Sequence, residues 1–245
     1  NLPRASAVII LNNPETLMPI AIMDGTAISA SRTGANSGVA SKFLAKKDSK
    51  SLGLIGAGVQ SRTQLLAINY THPNIDKIKV YDLYEERATN FAKEMGKIIG
   101  KDIIVAKTAY ETVNGSDIFV TATVTKTPIV KPDWIEPGVL YCHVGSHECE
   151  FNAILNMDKR VVDDWLEIKH RGVESLAIMH NDGIIDDSYI DAEIGQIING
   201  VKKGRESNEE TIYFNTVGLG IEDVALASKI YENALEMKLG KYLAR

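Results

Sequence analysis

The chain has 245 residues, of which 44% are hydrophobic and 24% charged, and this length suits one large domain or one domain with part of a second. The formal net charge is −5, and no run of Lys or Arg offers the basic surface that nucleic acid or anionic lipid requires, so both are excluded as partners. No apolar run approaches the roughly 20 residues that cross a bilayer. The two cysteines are too few for a disulfide framework, so we expect a cytoplasmic protein.

The first 45 residues predict a hairpin followed by a helix. "SAVIILNN" and "PETLMPIAIMDG" are apolar runs that meet at an Asn-Asn-Pro turn, which is typical of two antiparallel strands. Residues 26–45 predict a helix rich in Ala, Ser and Gly, whose short side chains allow another backbone or a ligand to approach closely. Because the chain opens with Asn1 rather than methionine, we expect it to be a fragment.

From Ser51 onward, apolar strands alternate with helices. The predicted strands are "LGLIGAG", "KIKVYDL", "DIIVA", "DIFVTATV", "GVLYCHVGS" and "KRVVDDW". This alternation predicts an α/β fold with a parallel sheet covered by helices on both faces. Beyond Trp165 the chain is predicted to be mostly helical and charged, and it closes with an amphipathic helix, "GIEDVALASKIYENALEMKLGKYL".

A glycine loop follows the first of these strands. "LGLIGAGVQS" places Gly56 at the tight turn and Gly58 where a backbone must approach a pyrophosphate, and the helix beyond supplies free N–H groups; Ser61 takes the place of the third glycine. Asp82 ends the next strand, where a carboxylate can bind ribose hydroxyls and repel a 2′-phosphate, although a simple turn residue is the alternative. Together these features predict a Rossmann-type doubly wound sheet that binds NAD, with NADP less favoured.

Four stretches resemble the ornithine cyclodeaminase/μ-crystallin family. They are "DGTAISASRTGA", "GAGVQSRTQ", "VVDD" and "GQIINGVKKGRESNEETIYFNTVGLGIEDVALA". The last is the most specific, because a G-x-x-x-G-R-x-S element is followed by a strand and by "GxxxED". The resemblance extends over nearly the whole chain. The family includes alanine dehydrogenase, ketimine reductase and the reductase of diaminopropionate biosynthesis. The chain most resembles the last of these branches.

The resemblance implies two domains and an N-terminal shortening. Family members are longer ahead of the hairpin, so residues 1–45 are interpreted as the remainder of an α+β substrate and dimerisation domain. Residues 46–219 are assigned to the dinucleotide-binding domain, and residues 220–245 to a helix that returns to the first domain. We expect a homodimer, because the hairpin and the closing helix leave apolar faces that half a domain cannot cover.

The resemblance also implies site residues. Arg32 is expected to contact both the substrate carboxylate and the cofactor, since a guanidinium offers a planar fork to a carboxylate; an ordinary surface arginine is the alternative. Val217 is expected near the substrate. The residues assigned to the cofactor, besides Arg32, Gly56, Gly58 and Asp82, are Thr33, Val59, Gln60, Thr123, Val144, Gly145 and Thr216.

The stretch "YCHVGSHECE", residues 141–150, combines cysteines, histidines and glutamates. Strand alternation places Cys142 and His143 on opposite faces, so we predict no metal site. The family's cyclodeaminases carry an acid/base aspartate just beyond this strand, and here the aligned position is His147, with Glu148 next to it. We expect these two residues to be catalytic through proton transfer; the alternative is that His147 only hydrogen-bonds the backbone.

The sequence therefore predicts an NAD-dependent oxidoreductase that acts on the C–N bond of a small amino acid or its imine. Because reductases of the family work without that aspartate, hydride transfer is favoured over cyclodeamination. Two alternatives remain: an ornithine cyclodeaminase-type lyase that recycles NAD, and a non-catalytic nicotinamide-binding protein or accessory subunit. The family's catalytic lysine has no match among these 245 residues, which favours the binding protein and implies that a shortened chain can lack activity.

Overall fold

The computed structural model describes residues 6–243. The strands are β1 (Val8–Asn12), β2 (Pro19–Asp24), β3 (Ser51–Ile55), β4 (Lys77–Tyr81), β5 (Ile103–Val105), β6 (Ile118–Thr121), β7 (Leu140–His143), β8 (Lys159–Val162), β9 (Ala192–Glu193) and β10 (Ile212–Asn215). The helices are α1 (Thr26–Leu44), α2 (Val59–Thr71), α3 (Glu85–Ile99), α4 (Ala109–Val113), α5 (Phe151–Leu155), α6 (Trp165–Arg171), α7 (Ser175–Asn181), α8 (Ile194–Ile198) and α9 (Gly220–Glu236). No helix in this range is both long and apolar enough to cross a membrane.

The described residues form two compact units. We call residues 6–32 with 218–243 the hairpin unit, and residues 33–217 the sheet unit. The division falls within α1, whereas the predicted domain boundary lies after residue 45.

The hairpin unit pairs β1 and β2 antiparallel, as predicted, with Val8 opposite Asp24. One face of the hairpin packs Leu11 against Ile28 and Ala227, in a small cluster with α1 and α9. The second strand begins later than predicted, at Pro19, because the Asn13 side chain accepts the N–H groups of Glu15 and Thr16 and folds the intervening residues into a turn.

The sheet unit contains eight parallel strands in the order β5-β4-β3-β6-β7-β10-β8-β9. Its two apolar cores lie on the two faces of the sheet: Leu54 and Cys142 belong to one, and Ile55 and Tyr141 to the other. The predicted α/β fold with a doubly wound parallel sheet is confirmed. The strand order reverses between β3 and β6, and ligands of such sheets bind at the carboxyl ends of the strands beside that reversal.

The small residues of α1 allow a close helix contact within the sheet unit. A Cβ atom at Gly34 would lie 2.5 Å from the Thr63 carbonyl of α2, and one at Gly38 would lie 2.8 Å from the Ala67 side chain. The prediction that this glycine-rich and alanine-rich helix admits another backbone is confirmed.

One strand takes an unexpected place in the sheet. The four residues of β10 are fully buried between β7 and β8, with Phe214 opposite both Cys142 and Val161. A strand after the G-x-x-x-G-R-x-S element was expected within the mostly helical region beyond Trp165, but its central place in the sheet was not.

Candidate functional site

The glycine loop connects β3 to α2 at the reversal of strand order. Gly56 has a φ of +98°, and a Cβ atom there would lie 2.6 Å from the Ala122 carbonyl that follows β6, so this position requires glycine. A Cβ atom at Gly58 would have no neighbour within 4 Å, so the backbone at Gly58 faces open space. Both glycines therefore occupy the positions that the dinucleotide fingerprint assigns to them.

Helix α2 begins directly after this loop. Gly58 is its N-cap and supplies no side-chain hydrogen bond, so the first N–H groups of the helix have no side-chain cap. Val59 is 63% exposed, whereas the side-chain oxygen of Gln60 is buried and has no partner among the described residues. Arg62 donates to the carbonyls of Ala57 and Gly58, which holds the loop against the helix. Such an end is suited to a pyrophosphate group.

Asp82 lies directly after β4 and braces the glycine loop. Its Oδ2 accepts the Ala57 N–H at 2.9 Å, and its Oδ1 accepts the Tyr84 N–H at 3.0 Å. Each oxygen keeps a lone pair for a ribose hydroxyl. The residues therefore fit a dinucleotide: an uncapped helix end, a glycine turn without side chains, and a carboxylate one strand away.

Glu148 is buried at the ends of β6 and β7. Its Oε1 accepts the backbone and hydroxyl groups of Thr123, both at 2.6 Å, and its Oε2 accepts the Thr121 hydroxyl at 2.7 Å and the Gly145 N–H at 2.8 Å. A Cβ atom at Gly145 would lie 2.3 Å from this carboxyl group, so only glycine fits there. Burial raises the pKa of Glu148, opposed by these hydrogen bonds.

The predicted acid/base role of Glu148 is not favoured by this geometry. The side chain is 0% exposed and both of its oxygens are occupied, whereas a general acid or base must reach the substrate. Glu148 instead fastens the loop after β7 to the end of β6.

A buried polar network continues behind Glu148. His143 Nε2 lies 3.4 Å from Glu148 Oε2, and His143 Nδ1 is hydrogen-bonded to the Tyr213 hydroxyl. Burial, together with the nearby His147, lowers the pKa of His143 to about 3, so the ring is neutral at physiological pH. The Tyr141 hydroxyl completes the network through Thr121 at 2.9 Å.

His147 lies in the loop that Glu148 fastens. Its Nδ1 is 3.0 Å from the hydroxyl of Ser175, the first residue of α7, and its ring lies 5.2 Å from the ring of Phe151. Partial burial lowers the pKa of His147 below the ordinary 6.5, so the imidazole is neutral near pH 7. A neutral imidazole in a loop at the carboxyl edge of the sheet can act as a base.

Thr216 and Val217 follow β10 at the same edge. Asp163, which follows β8, accepts the Thr216 hydroxyl at 2.8 Å and the Val217 N–H at 2.7 Å through one oxygen. Thr216 also accepts a hydrogen bond from Asn36 at 3.0 Å. Asp163, which belongs to the "VVDD" stretch, therefore fixes the backbone at Thr216 and Val217, the segment predicted to lie near the substrate.

Two further residues assigned to the cofactor, Thr33 and Val144, make backbone hydrogen bonds that join elements of the sheet unit. The Thr33 carbonyl accepts the Gln64 side chain at 3.0 Å, which joins α1 to α2. The Val144 N–H donates to the Thr121 carbonyl at 3.0 Å, which extends the pairing of β6 and β7 beyond the strands.

Arg32 belongs to the hairpin unit, where its guanidinium is held by acidic side chains. Its Nε donates to Asp223 at 3.1 Å, its Nη1 lies 3.6 Å from Glu222, and its Nη2 donates to Ser29 at 3.2 Å. A Cβ atom at Gly218, which has a φ of +79°, would lie 1.6 Å from Nη1. These contacts fix the orientation of a cation that is 15% exposed.

The cysteines occupy apolar surroundings. Cys142 and Cys149 are free thiols with 0% exposure, and burial raises the pKa of both. Within residues 6–243, no group of three or more Cys, His, Asp or Glu side chains could hold a metal ion.

The sheet unit thus gathers most of the predicted site at one edge, where the loops after β3, β4, β6, β7 and β10 carry Gly56, Asp82, Thr123, His147 and Thr216. Sequence reasoning assigned no role to Ser175, Asp163 or His143. Ser175 lies 28 residues beyond its partner His147, and no sequence pattern connects the two. The "VVDD" landmark did contain a signal for Asp163.

This fold and this edge define a Rossmann-type dinucleotide-binding protein. The chain belongs to the ornithine cyclodeaminase/mu-crystallin family, whose profile matches residues 1–238, so the resemblance inferred from the sequence is confirmed.

Three relatives illustrate the match. The chain is 38% identical to alanine dehydrogenase of Archaeoglobus fulgidus over 243 residues, covering 98% of this chain and 74% of the relative. It matches the structure of Thermococcus litoralis Δ1-pyrroline-2-carboxylate reductase in complex with NADH and L-proline with a TM-score of 0.92, 44% identity, and 99% and 76% coverage of the two chains. An archaeal alanine dehydrogenase dimer with bound NAD matches with a TM-score of 0.91, 36% identity, and 99% and 75% coverage.

Proposed function

We propose that this protein is an NAD-dependent oxidoreductase that transfers a hydride at the C–N bond of a small amino acid or its imine. The observation that carries the proposal is the uncapped start of α2 after Gly56 and Gly58, with Asp82 on the neighbouring strand. The relatives include an alanine dehydrogenase and a Δ1-pyrroline-2-carboxylate reductase, structures of which hold NAD or NADH. The predicted class of enzyme and the predicted cofactor are confirmed by these relatives.

Separate residues bind the cofactor, transfer the proton, bind the substrate carboxylate and position the catalytic loop. The glycine loop and Asp82 would hold NAD, which would supply a hydride acceptor for the substrate carbon or, as NADH, a hydride donor. His147 exchanges a proton with the substrate nitrogen, for which its lowered pKa and its position at the carboxyl edge of the sheet are suited. Arg32 binds the substrate carboxylate, with Glu222 and Asp223 fixing its orientation. Glu148 positions the loop that carries His147.

The activity can be tested with the complete gene product, NAD and a panel of small amino acids. We expect NADH to accumulate with one of them, and NADH to be consumed when the matching imine is supplied. Formation of ammonia and proline from ornithine without net NADH would instead identify a cyclodeaminase. Binding of NAD with neither reaction would identify a binding protein, and either result would overturn the proposal.

We predict that the enzyme prefers NAD to NADP because of Asp82. Two like charges about 4 Å apart repel by roughly 1–4 kcal/mol near a protein surface, so NADPH should bind about 10-fold or more weakly than NADH. Asp82→Ser should narrow that difference, and it should also weaken NADH because it removes the brace on Ala57. Glu85→Gln, in the first turn of α3, is the control and should preserve the preference. Calorimetry measures the affinities of all three proteins for both cofactors, and equal binding of both cofactors by the unmodified protein would refute the prediction.

We propose a homodimer, since the related archaeal alanine dehydrogenase is a dimer and the hairpin unit exposes apolar side chains. Val8, Ile10 and Ile22 lie on the hairpin face opposite the small cluster and are 57–71% exposed. Light scattering at micromolar concentration should give twice the chain mass. Ile10→Glu should shift the protein toward monomer, whereas Ile104→Glu, at a similarly exposed site on β5, should leave the mass unchanged. A monomeric mass for the unmodified protein would contradict the proposal.

The two free, buried thiols suit a reducing compartment, and on that ground we propose a cytoplasmic location.

A further inference from the structure

Ser175 contacts the His147 loop at several points. It is fully buried, and its backbone N–H donates to the Ser146 carbonyl at 3.2 Å. Its hydroxyl oxygen lies 3.0 Å from His147 Nδ1 and 3.4 Å from the Cys149 carbonyl oxygen. The start of α7 therefore holds residues on both sides of His147 as well as the imidazole ring itself.

The Ser175 hydroxyl has one proton and two acceptors within reach. If that proton goes to His147 Nδ1, the Cys149 carbonyl is left without a donor among the described residues, in a residue that is 0% exposed. If it goes to the carbonyl, the same oxygen can accept a proton from His147 Nδ1, and both hydrogen bonds form. Leaving a buried acceptor unpaired is costly, so the second arrangement is the stable one.

We propose that Ser175 is a positioning residue that fixes the tautomer of His147, holding the proton on Nδ1 and leaving the lone pair on Nε2. The inference rests on the proposed function, in which His147 accepts the substrate's proton. Among residues 6–243, Ser175 is the only hydrogen-bond partner of this ring, and Nε2 is not among the buried polar atoms. The atom that must act as a base is thus the one left available.

Two other contacts hold the imidazole ring in one orientation, so that Nδ1 and Nε2 do not change places by a ring flip. Glu148 fastens the Gly145 N–H at 2.8 Å, and the Phe151 ring lies against the imidazole at 5.2 Å. The loop and the ring plane are therefore fixed independently of Ser175, and the serine contributes the proton arrangement. A wrong tautomer at an otherwise intact site is enough to remove most of the activity of an imidazole base.

The tautomer can be read directly by nitrogen NMR of the labelled histidine rings, at a pH well above 6.5, the ordinary imidazole value. In the unmodified protein we expect His147 to carry its proton on Nδ1. Ser175→Ala should move the ring toward the Nε2-protonated form that free histidine favours, and should lower kcat by about 10-fold or more with little change in the KM for NAD. Ser146→Ala, a loop variant whose lost hydroxyl makes no hydrogen bond among the described residues, should preserve both the tautomer and kcat.

A proton on Nε2 in the unmodified protein would overturn the inference, and this measurement does not depend on the folding of any variant. An unchanged tautomer and kcat in Ser175→Ala would overturn it as well. Failure of the proposed function is distinguishable, because His147→Asn would then retain turnover whichever nitrogen carries the proton.

Discussion

Replacing His147 with asparagine is expected to lower kcat by about 10²- to 10⁴-fold, the range that general acid–base catalysis contributes. Asparagine keeps a hydrogen-bonding group near Ser175 and a similar size beside Phe151, so the loop should remain folded. It cannot accept a proton near neutral pH. The affinity for NAD should be unchanged, because the glycine loop and Asp82 are separate elements of the sheet.

A base at His147 also predicts the direction in which kcat/KM changes with pH. A base works only when unprotonated, so kcat/KM should fall as the pH drops through the pKa of His147. Because partial burial lowers that pKa, the fall should lie below pH 6.5, and it should be absent from the asparagine variant. His143 cannot produce this fall, since its pKa is about 3.

The matched control is His170→Asn on α6, where the imidazole is 84% exposed. It should retain both turnover and the pH profile. Steady-state kinetics with the substrate found in the amino-acid panel measures both variants. Turnover of His147→Asn equal to that of the unmodified protein would exclude proton transfer by this residue.

The sequence predicted the parts of this protein that depend on local rules. Alternation of strands and helices predicted the parallel sheet, and the glycine spacing predicted the loop, because the positive φ of Gly56 and its close approach to the Ala122 carbonyl are backbone requirements that only glycine meets. Asp82 was predictable from a similarly local rule, since it directly follows the strand that neighbours β3 and the glycine loop.

The parts that sequence reasoning missed depend on distant pairing. The position of β10 between β7 and β8 pairs Ile212 with Leu140 and with Lys159, which are 72 and 53 residues earlier in the chain, and a short apolar run does not specify its neighbours. Ser175 and Asp163 likewise acquire their roles only from partners that the folded sheet brings to its carboxyl edge. Glu148 was identified by position and assigned to proton transfer, and its complete burial was not foreseen, because a loop carboxylate carries no sequence signal of burial.

Glu148 is expected to have the largest effect on stability of any residue at this edge. Glu148→Ala removes the acceptor of four hydrogen bonds, two of them from the backbone N–H groups of Thr123 and Gly145, in a place with 0% exposure. A buried donor that loses its acceptor costs about 1–3 kcal/mol, and two backbone N–H groups lose theirs here. We therefore expect the free energy of unfolding to fall by about 2–6 kcal/mol.

Glu148→Gln keeps the length of the side chain but removes its charge and one acceptor oxygen. It therefore tests whether the carboxylate itself stabilises the loop. Each oxygen of Glu148 accepts one backbone N–H, so the glutamine NH₂ must face the N–H of either Thr123 or Gly145. We expect a loss of about 1–3 kcal/mol, intermediate between the alanine variant and the unmodified protein. Glu150→Ala is the control, because that glutamate lies two residues further on and its side chain makes no hydrogen bond among residues 6–243. Denaturant unfolding measures all three variants, and a Glu148→Ala protein as stable as the Glu150→Ala control would show that this carboxylate does not hold the loop.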